Sequence, residues 1–307
     1  MLTRINVIAI AVLAAGLGSS GLAHATPPAP GGSVPAGLAR AGGAVTLGQV
    51  ATTGAQDCNP GPTTMAQYVE GGTPSYLTPS AGVITSYSVQ ANATAGTVRL
   101  VLFGPSPTAG HRTVVGLSAQ TPVVVNTLNT FPTRIPVAAG ISIGLNNSAS
   151  GMLCWGAGVT GDQMAAASSY DPSASNDYTP TVVRPDVRAN VSAVLEPDAD
   201  GDLYGDVSQD LCPQSKQTQA SCPAPDTTVT KKPKKRSTSR KAKIRFTSVT
   251  AATFTCAVDG KAAVPCASPF KKRYKYGKHV VLIFATSTFG IADPTPAKVK
   301  FRITHPT

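Results

Sequence analysis

The chain has 307 residues, with Gly 29 and Pro 26 making up about 18% of it against an average near 12%, while only 13% of residues are charged. That balance excludes long solvent-facing helices and coiled coils, which need Glu, Lys, Arg and Leu at helical spacing, and points to short strands joined by turns. The net charge of +11 is unevenly divided: residues 227–307 carry 18 Lys and Arg against two acids, whereas residues 28–226 carry seven against 13. A mildly acidic body is therefore followed by a strongly basic tail.

Residues 1–25 read as an export signal. Arg4 gives a positive start, residues 7–17 (VIAIAVLAAGL) an apolar core, and Ala23-His24-Ala25 a small-x-small cleavage site, so the mature chain would begin at Thr26. The apolar core is shorter than the roughly 20 residues that span a bilayer. The expectation is a secreted or extracellular product, free or cell-surface associated, with no transmembrane segment after cleavage. Residues 26–48 are rich in Pro, Ala and Gly and read as a flexible leader.

Residues 49–197 carry a succession of short apolar or alternating runs at 82–90, 97–103, 113–117, 123–125, 133–137, 141–145, 152–155 and 187–195, each bounded by Gly, Pro, Asn or Ser. This is the pattern of an antiparallel, jelly-roll-like β-sandwich, and the predicted fold class is all-β. In 97–103 the alternation sets Val98, Leu100 and Leu102 on one face and Arg99 and Val101 on the other. Trp155, beside Cys154, is expected to cover a disulfide in the core; the alternative is a stacking platform for a sugar ring. The segment 130–145 resembles the late strand, turn and strand of carbohydrate-binding jelly rolls. If this sandwich bound glycan, Tyr68, Tyr76 and Tyr87 would be expected to line a groove.

Six cysteines in an exported chain imply structural disulfides. Locality pairs Cys212 with Cys222 and Cys256 with Cys266, each ten residues apart, and leaves Cys58 with Cys154. A cysteine metal site is disfavoured because His111, His279 and His305 lie away from the close pairs.

The most specific signal is EPDADGDLYGDVSQDLCP at 196–213. Asp198, Asp200 and Asp202 occupy alternate positions that can wrap carboxylate oxygens around one hard cation. Tyr204 follows with a backbone carbonyl, and Asp206 and Asp210 add further carboxylates. An all-oxygen set favours Ca2+ over zinc or copper. This stretch resembles the thrombospondin type 3 repeat, and the resemblance implies a calcium-binding connector over 198–222 closed by Cys212-Pro213. Two residues depart from the expected pattern: Leu203 stands where that repeat usually has Gly, and Gln209 where an acid would close an EF-hand loop. Strand and Cys-Pro flanks, rather than amphipathic helices, argue against a true EF-hand.

Residues 223–241 contain Lys231, Lys232, Lys234, Lys235 and Arg236 among Pro and Ser, and read as an extended basic linker. Its expected contact is an anionic cell-envelope polymer or extracellular glycan; nucleic acid is not expected for an exported chain. Residues 242–307 form a second β domain with strands at 243–248, 252–258, 280–286 and 299–304 and a hairpin turn at Asp259-Gly260. Its cysteine loop, GKH and DPTP strings resemble a small bacterial Ig-like repeat, which implies a stalk or adhesive spacer.

The sequence holds no HExxH, GxSxG, P-loop or dinucleotide-binding motif. Glu70 and Glu196 are its only glutamates, and Asp57, Asp162, Asp171, Asp177 and Asp186 sit in no suggestive setting for a glycosidase pair. A scattered triad would have to use His111. The expectation is a calcium-binding structural or adhesion protein without catalysis, with carbohydrate binding by the first sandwich, or service as the accessory part of a secreted hydrolase, as alternatives.

Overall fold

The computed structural model describes residues 42–51, 58, 61–173, 177–250 and 252–306, and every regular element among them is a strand. The expected signal peptide, and the leader up to residue 41, lie outside the described residues. No helix among the described residues is long and apolar enough to cross a membrane.

The first sandwich is built from β1 (Val45–Gln49), β2 (Thr63–Val69), β3 (Gly82–Gln90), β4 (Thr97–Pro105), β5 (Arg112–Leu117), β6 (Thr121–Pro122) and β7 (Leu128–Val137). It continues with β8 (Ser142–Asn147), β9 (Gly156–Ala157), β10 (Gln163–Ser168), β11 (Asp177–Tyr178), β12 (Val182–Pro185), β13 (Val187–Arg188) and β14 (Val191–Glu196). A four-stranded sheet in the order β1-β14-β3-β7 faces an eight-stranded sheet in the order β11-β5-β4-β8-β2-β10-β12, with β6 attached to β4. Leu47, Ile84, Val191, Ala193 and Leu195 from the first sheet meet Met65, Val98, Leu100, Leu102, Ile143 and Leu145 from the second in one buried core.

The other side of β4 is also apolar. Val101 and Phe103 join Ala66, Val114, Ala167 and Tyr178 in a smaller cluster on the outer face of the large sheet, with Tyr68 and Tyr170 packed against it. Trp155 belongs to the main core at 3% exposure, next to the Cys58–Cys154 disulfide, and the Arg184 guanidinium lies 4.5 Å over its ring. Arg188 and Asp162 form an ion pair at 2.7 Å that is almost completely buried, and Arg188 also donates to the carbonyls of Gly72 and Pro74. That pair ties the loop after β2 to the strands at the other end of the chain segment.

The second sandwich contains β15 (Thr227–Lys231), β16 (Arg236–Ser237), β17 (Lys241–Ser248), β18 (Ala252–Val258), β19 (Val264–Cys266), β20 (Phe270–Arg273), β21 (Gly277–Ser287) and β22 (Ala297–Ile303). Three strands in the order β15-β17-β20 pack on five in the order β16-β22-β21-β18-β19. Ile244, Phe246, Tyr274, Val281, Ile283, Val299, Phe301 and Ile303 fill the space between. Asp259 and Gly260 both have positive φ, 54° and 77°, as a tight hairpin turn requires.

Four sequence expectations are corrected. The leader does not run to residue 48, because Val45–Gln49 pairs with β14 and buries Leu47. Residues 223–241 are not simply an extended linker: β15 and β16 lie within them, since Thr227 and Val229 turn toward the core while the lysines face out. The run 123–125 is a turn rather than a strand, held by the Asn129 side chain bonded to both N and O of Val124. Residues 152–155 provide an isolated bridge, Cys58 to Cys154, in place of a strand.

Candidate metal centre

The connector begins where β14 ends. Carboxylate oxygens of Asp198, Asp200 and Asp202 lie within 4.8 Å of one another. The turn that brings them together is closed by the chain's own N–H groups: Gly201, Asp202 and Leu203 donate to Asp198, and Tyr204 donates to Asp202. Gly201 and Leu203 both adopt left-handed backbone, at φ 72° and 73°. Glycine takes that conformation freely, whereas Leu203 holds it at a cost of about 1–2 kcal/mol.

Among the described residues, Asp206 receives only the N–H of Ala199. Asp210 is 1% exposed; its Oδ1 accepts from Cys212 N at 2.7 Å, but its Oδ2 has no hydrogen-bond partner. Asp200 Oδ2 is likewise buried without a partner. Among the described residues, none of the five aspartates forms an ion pair. Burial first, and then the neighbouring carboxylates of Asp202, Asp210 and Asp198, raise the pKa of Asp200. Burial, followed by the charges of Asp198, Asp210 and Asp200, outweighs the Ala199 bond and pushes Asp206 up to about 6.

Unsatisfied buried carboxylates in a group of like charge are expensive to maintain. A hard cation would give the oxygens of Asp198, Asp200 and Asp202 one common partner, and an all-oxygen donor set suits calcium; Asp206 and Asp210 are not gathered into that group of three. The residues present therefore fit that ion.

The frame around the cluster is well anchored. Glu196, 2% exposed, accepts from Val207 N, Ser208 N, Ser208 Oγ and Thr85 Oγ1, fastening the connector to β3. Burial opposes ionisation of Glu196, but these donors together hold its carboxyl below the usual value. Gln209 does not face the carboxylates: its amide donates to Thr133 O on β7 and accepts from Gly205 N. The Tyr204 ring lies under the Arg134 guanidinium at 4.1 Å. Beyond the loop, Gln219 donates to Asp202 at 2.7 Å, and Cys212 is bonded to Cys222. The other two disulfides join Cys58 to Cys154 and Cys256 to Cys266, so all three pairings agree with the locality argument.

Elsewhere the chemistry-bearing residues are tied into structure. His111 Nδ1 and the Ser106 hydroxyl both meet the Asp177 carboxylate, so the serine is bonded to the acid rather than to the imidazole. His279 has both ring nitrogens occupied, by Asp259 and by Lys275 O, and His305 stacks on Tyr276. Asp171 pairs with Arg99, Glu70 accepts from Tyr76 N, and Asp186 from Gly161 N. Asp57 lies outside the described residues. The expected row of aromatics is not a groove, because Tyr76 and Tyr87 are core residues at 0% and 1% exposure and only Tyr68 reaches the surface.

Lys231 lies on β15 and Arg236 on β16, with Lys232, Lys234 and Lys235 between them, all exposed. The basic run continues through Lys241 and Lys243 onto β17, where the alternation K-x-K-x-R at 241–245 sets its cations on one face, and β20 adds Lys271, Lys272 and Arg273. Comparison of the chain with protein-family models and with curated proteins found no match.

Proposed function

We propose that this is a secreted or cell-surface structural protein of the adhesive kind, without catalytic activity, in which a calcium ion stiffens the segment after the first sandwich. Asp198, Asp200, Asp202, Asp206 and Asp210 would hold the ion with the backbone carbonyl of Tyr204, as the resemblance to the thrombospondin type 3 repeat implies. When bound, the cation supplies charge neutralisation and fills the coordination that the chain's own donors leave open. The chain's part is to preset the frame: Glu196 pins 207–208 to the sandwich, Gln209 pins the turn to β7, and Cys212–Cys222 closes the far end. Three disulfides suit an oxidising compartment.

The observation that carries this reading is the pair of buried, unpartnered carboxylate oxygens on Asp200 and Asp210. Isothermal titration of calcium into EDTA-stripped mature protein should give saturable binding that disappears in Asp200→Ala, Asp202→Ala. No heat of binding up to millimolar calcium would overturn it.

A further inference from the structure

We propose that the outer face of the β15-β17-β20 sheet is a docking surface for a linear acidic polysaccharide. On β17, Ala242, Ile244 and Phe246 turn inward while Lys241, Lys243 and Arg245 turn outward. The strand register then sets Lys241 opposite Arg273, Lys243 opposite Lys271, and Lys231 opposite Arg245. All six of these cations are exposed.

Like charges directly across an antiparallel pair destabilise it. The Lys243 ammonium is accordingly held below its ordinary pKa, by Arg245 first, then by desolvation, Lys271 and Lys231. Among the described residues none of the six cations forms an ion pair, and the exposed acid nearest in sequence, Asp226, lies before the start of β15. In residues 227–307 the acids are Asp259 and Asp293. Asp259 is taken by His279 and Val280 N, and Asp293 is buried against Thr227 and Thr295. The opposite face of this sandwich is basic too: Lys278 stands across from Arg302, which also neighbours Arg236, whereas Lys298 and Lys300 stand across from Leu282 and Val280 and have no cation directly opposite on β21.

The geometry selects the partner. Neighbouring strands lie about 4.8 Å apart and alternate residues about 6.8 Å along a strand, so the cations form a two-dimensional grid suited to a chain with repeated charges rather than to one small anion. This face carries no aromatic ring on which bases could stack. Its exposed cations bring no large apolar group to insert into a bilayer. Carboxylate and sulfate polymers share the recognised chemistry. The surface makes no use of the aspartate cluster, so it goes beyond the calcium reading.

The test uses the full mature chain in EDTA, with immobilised polygalacturonate and dextran sulfate as the two charged polymers and neutral dextran as control. Binding to at least one charged polymer is expected, weakening by about two to three orders of magnitude between 50 and 200 mM salt as counterion release over four to six charges would give. Lys241→Glu, Lys243→Glu should lose at least about 10-fold in affinity while keeping or raising the melting temperature, because two like-charge pairs become opposite-charge pairs. Lys298→Glu, Lys300→Glu changes net charge equally and should lose less than about 3-fold. Equal losses in both variants, binding to neither charged polymer, or tighter binding to duplex DNA or phosphatidylserine vesicles would overturn the proposal. Because calcium is absent throughout, this test and the calcium titration fail independently.

Discussion

Glu196 and Asp210 are both buried carboxylates of the same short segment, yet they are treated in opposite ways. Glu196 is surrounded by four donors, and its carboxyl is held below the usual value. Asp210 receives one N–H, leaves its second oxygen bare, and adds its charge to an already raised Asp206. The first arrangement is complete as it stands and needs no ligand. The second leaves an oxygen without a donor, and on the proposed reading a cation would take that place. Donor supply, rather than burial or acidity, separates a structural carboxylate from a candidate ligand in this molecule.

The sharpest way to break that comparison is at Asp162, a buried acid that, like Glu196, accepts four hydrogen bonds. Removing its partner with Arg188→Met strands a buried charge and should cost about 3–5 kcal/mol in urea unfolding, with no effect specific to calcium. Glu196→Gln should cost about 1–3 kcal/mol, because the Val207 and Ser208 donors lose their charged acceptor. In hydrogen exchange that variant should expose residues 205–210 before the sandwich opens.

Acid titration separates the two classes by sign. Burial opposes ionisation of Asp162, but Arg188 and the N–H groups of Gly71 and Val159 prevail, so its native pKa is lowered. The stability it contributes is present above its unfolded value near 4 and is lost as pH falls through the lower native value. Asp206 is raised to about 6, so in EDTA its penalty is absent below about pH 4 and grows as pH rises to 6. Melting temperature in EDTA should therefore fall between pH 4 and 6, and calcium should flatten that fall. The smallest expected effect is at Leu203, where Leu203→Gly relieves the left-handed strain and should stabilise the chain by up to about 1 kcal/mol.

Much of the fold was readable where the chain alternates β-branched and polar residues between turn signals. The strands at 82–90 and 252–258 have the limits read from sequence. β10 was missed because QMAAAS has no β-branched residue and takes its strand form from pairing with β2 and β12. β15 was hidden by the lysine run, although two of its residues face the core. The aspartate spacing was legible as a ligand pattern. What spacing cannot carry is which acids already have donors: the roles of Glu196 and Gln209 depend on Thr85 and Thr133, more than 70 residues away in sequence.

The most direct test of the distinction is the melting temperature of Asp210→Asn beside the unsubstituted chain, each in EDTA and in calcium. If Asp210 is an incomplete ligand, the variant should melt higher than the parent in EDTA, where it relieves repulsion, and lower than the parent in calcium, where it loses a ligand. A variant destabilised equally in both conditions would contradict the account and make Asp210 a structural acid like Glu196.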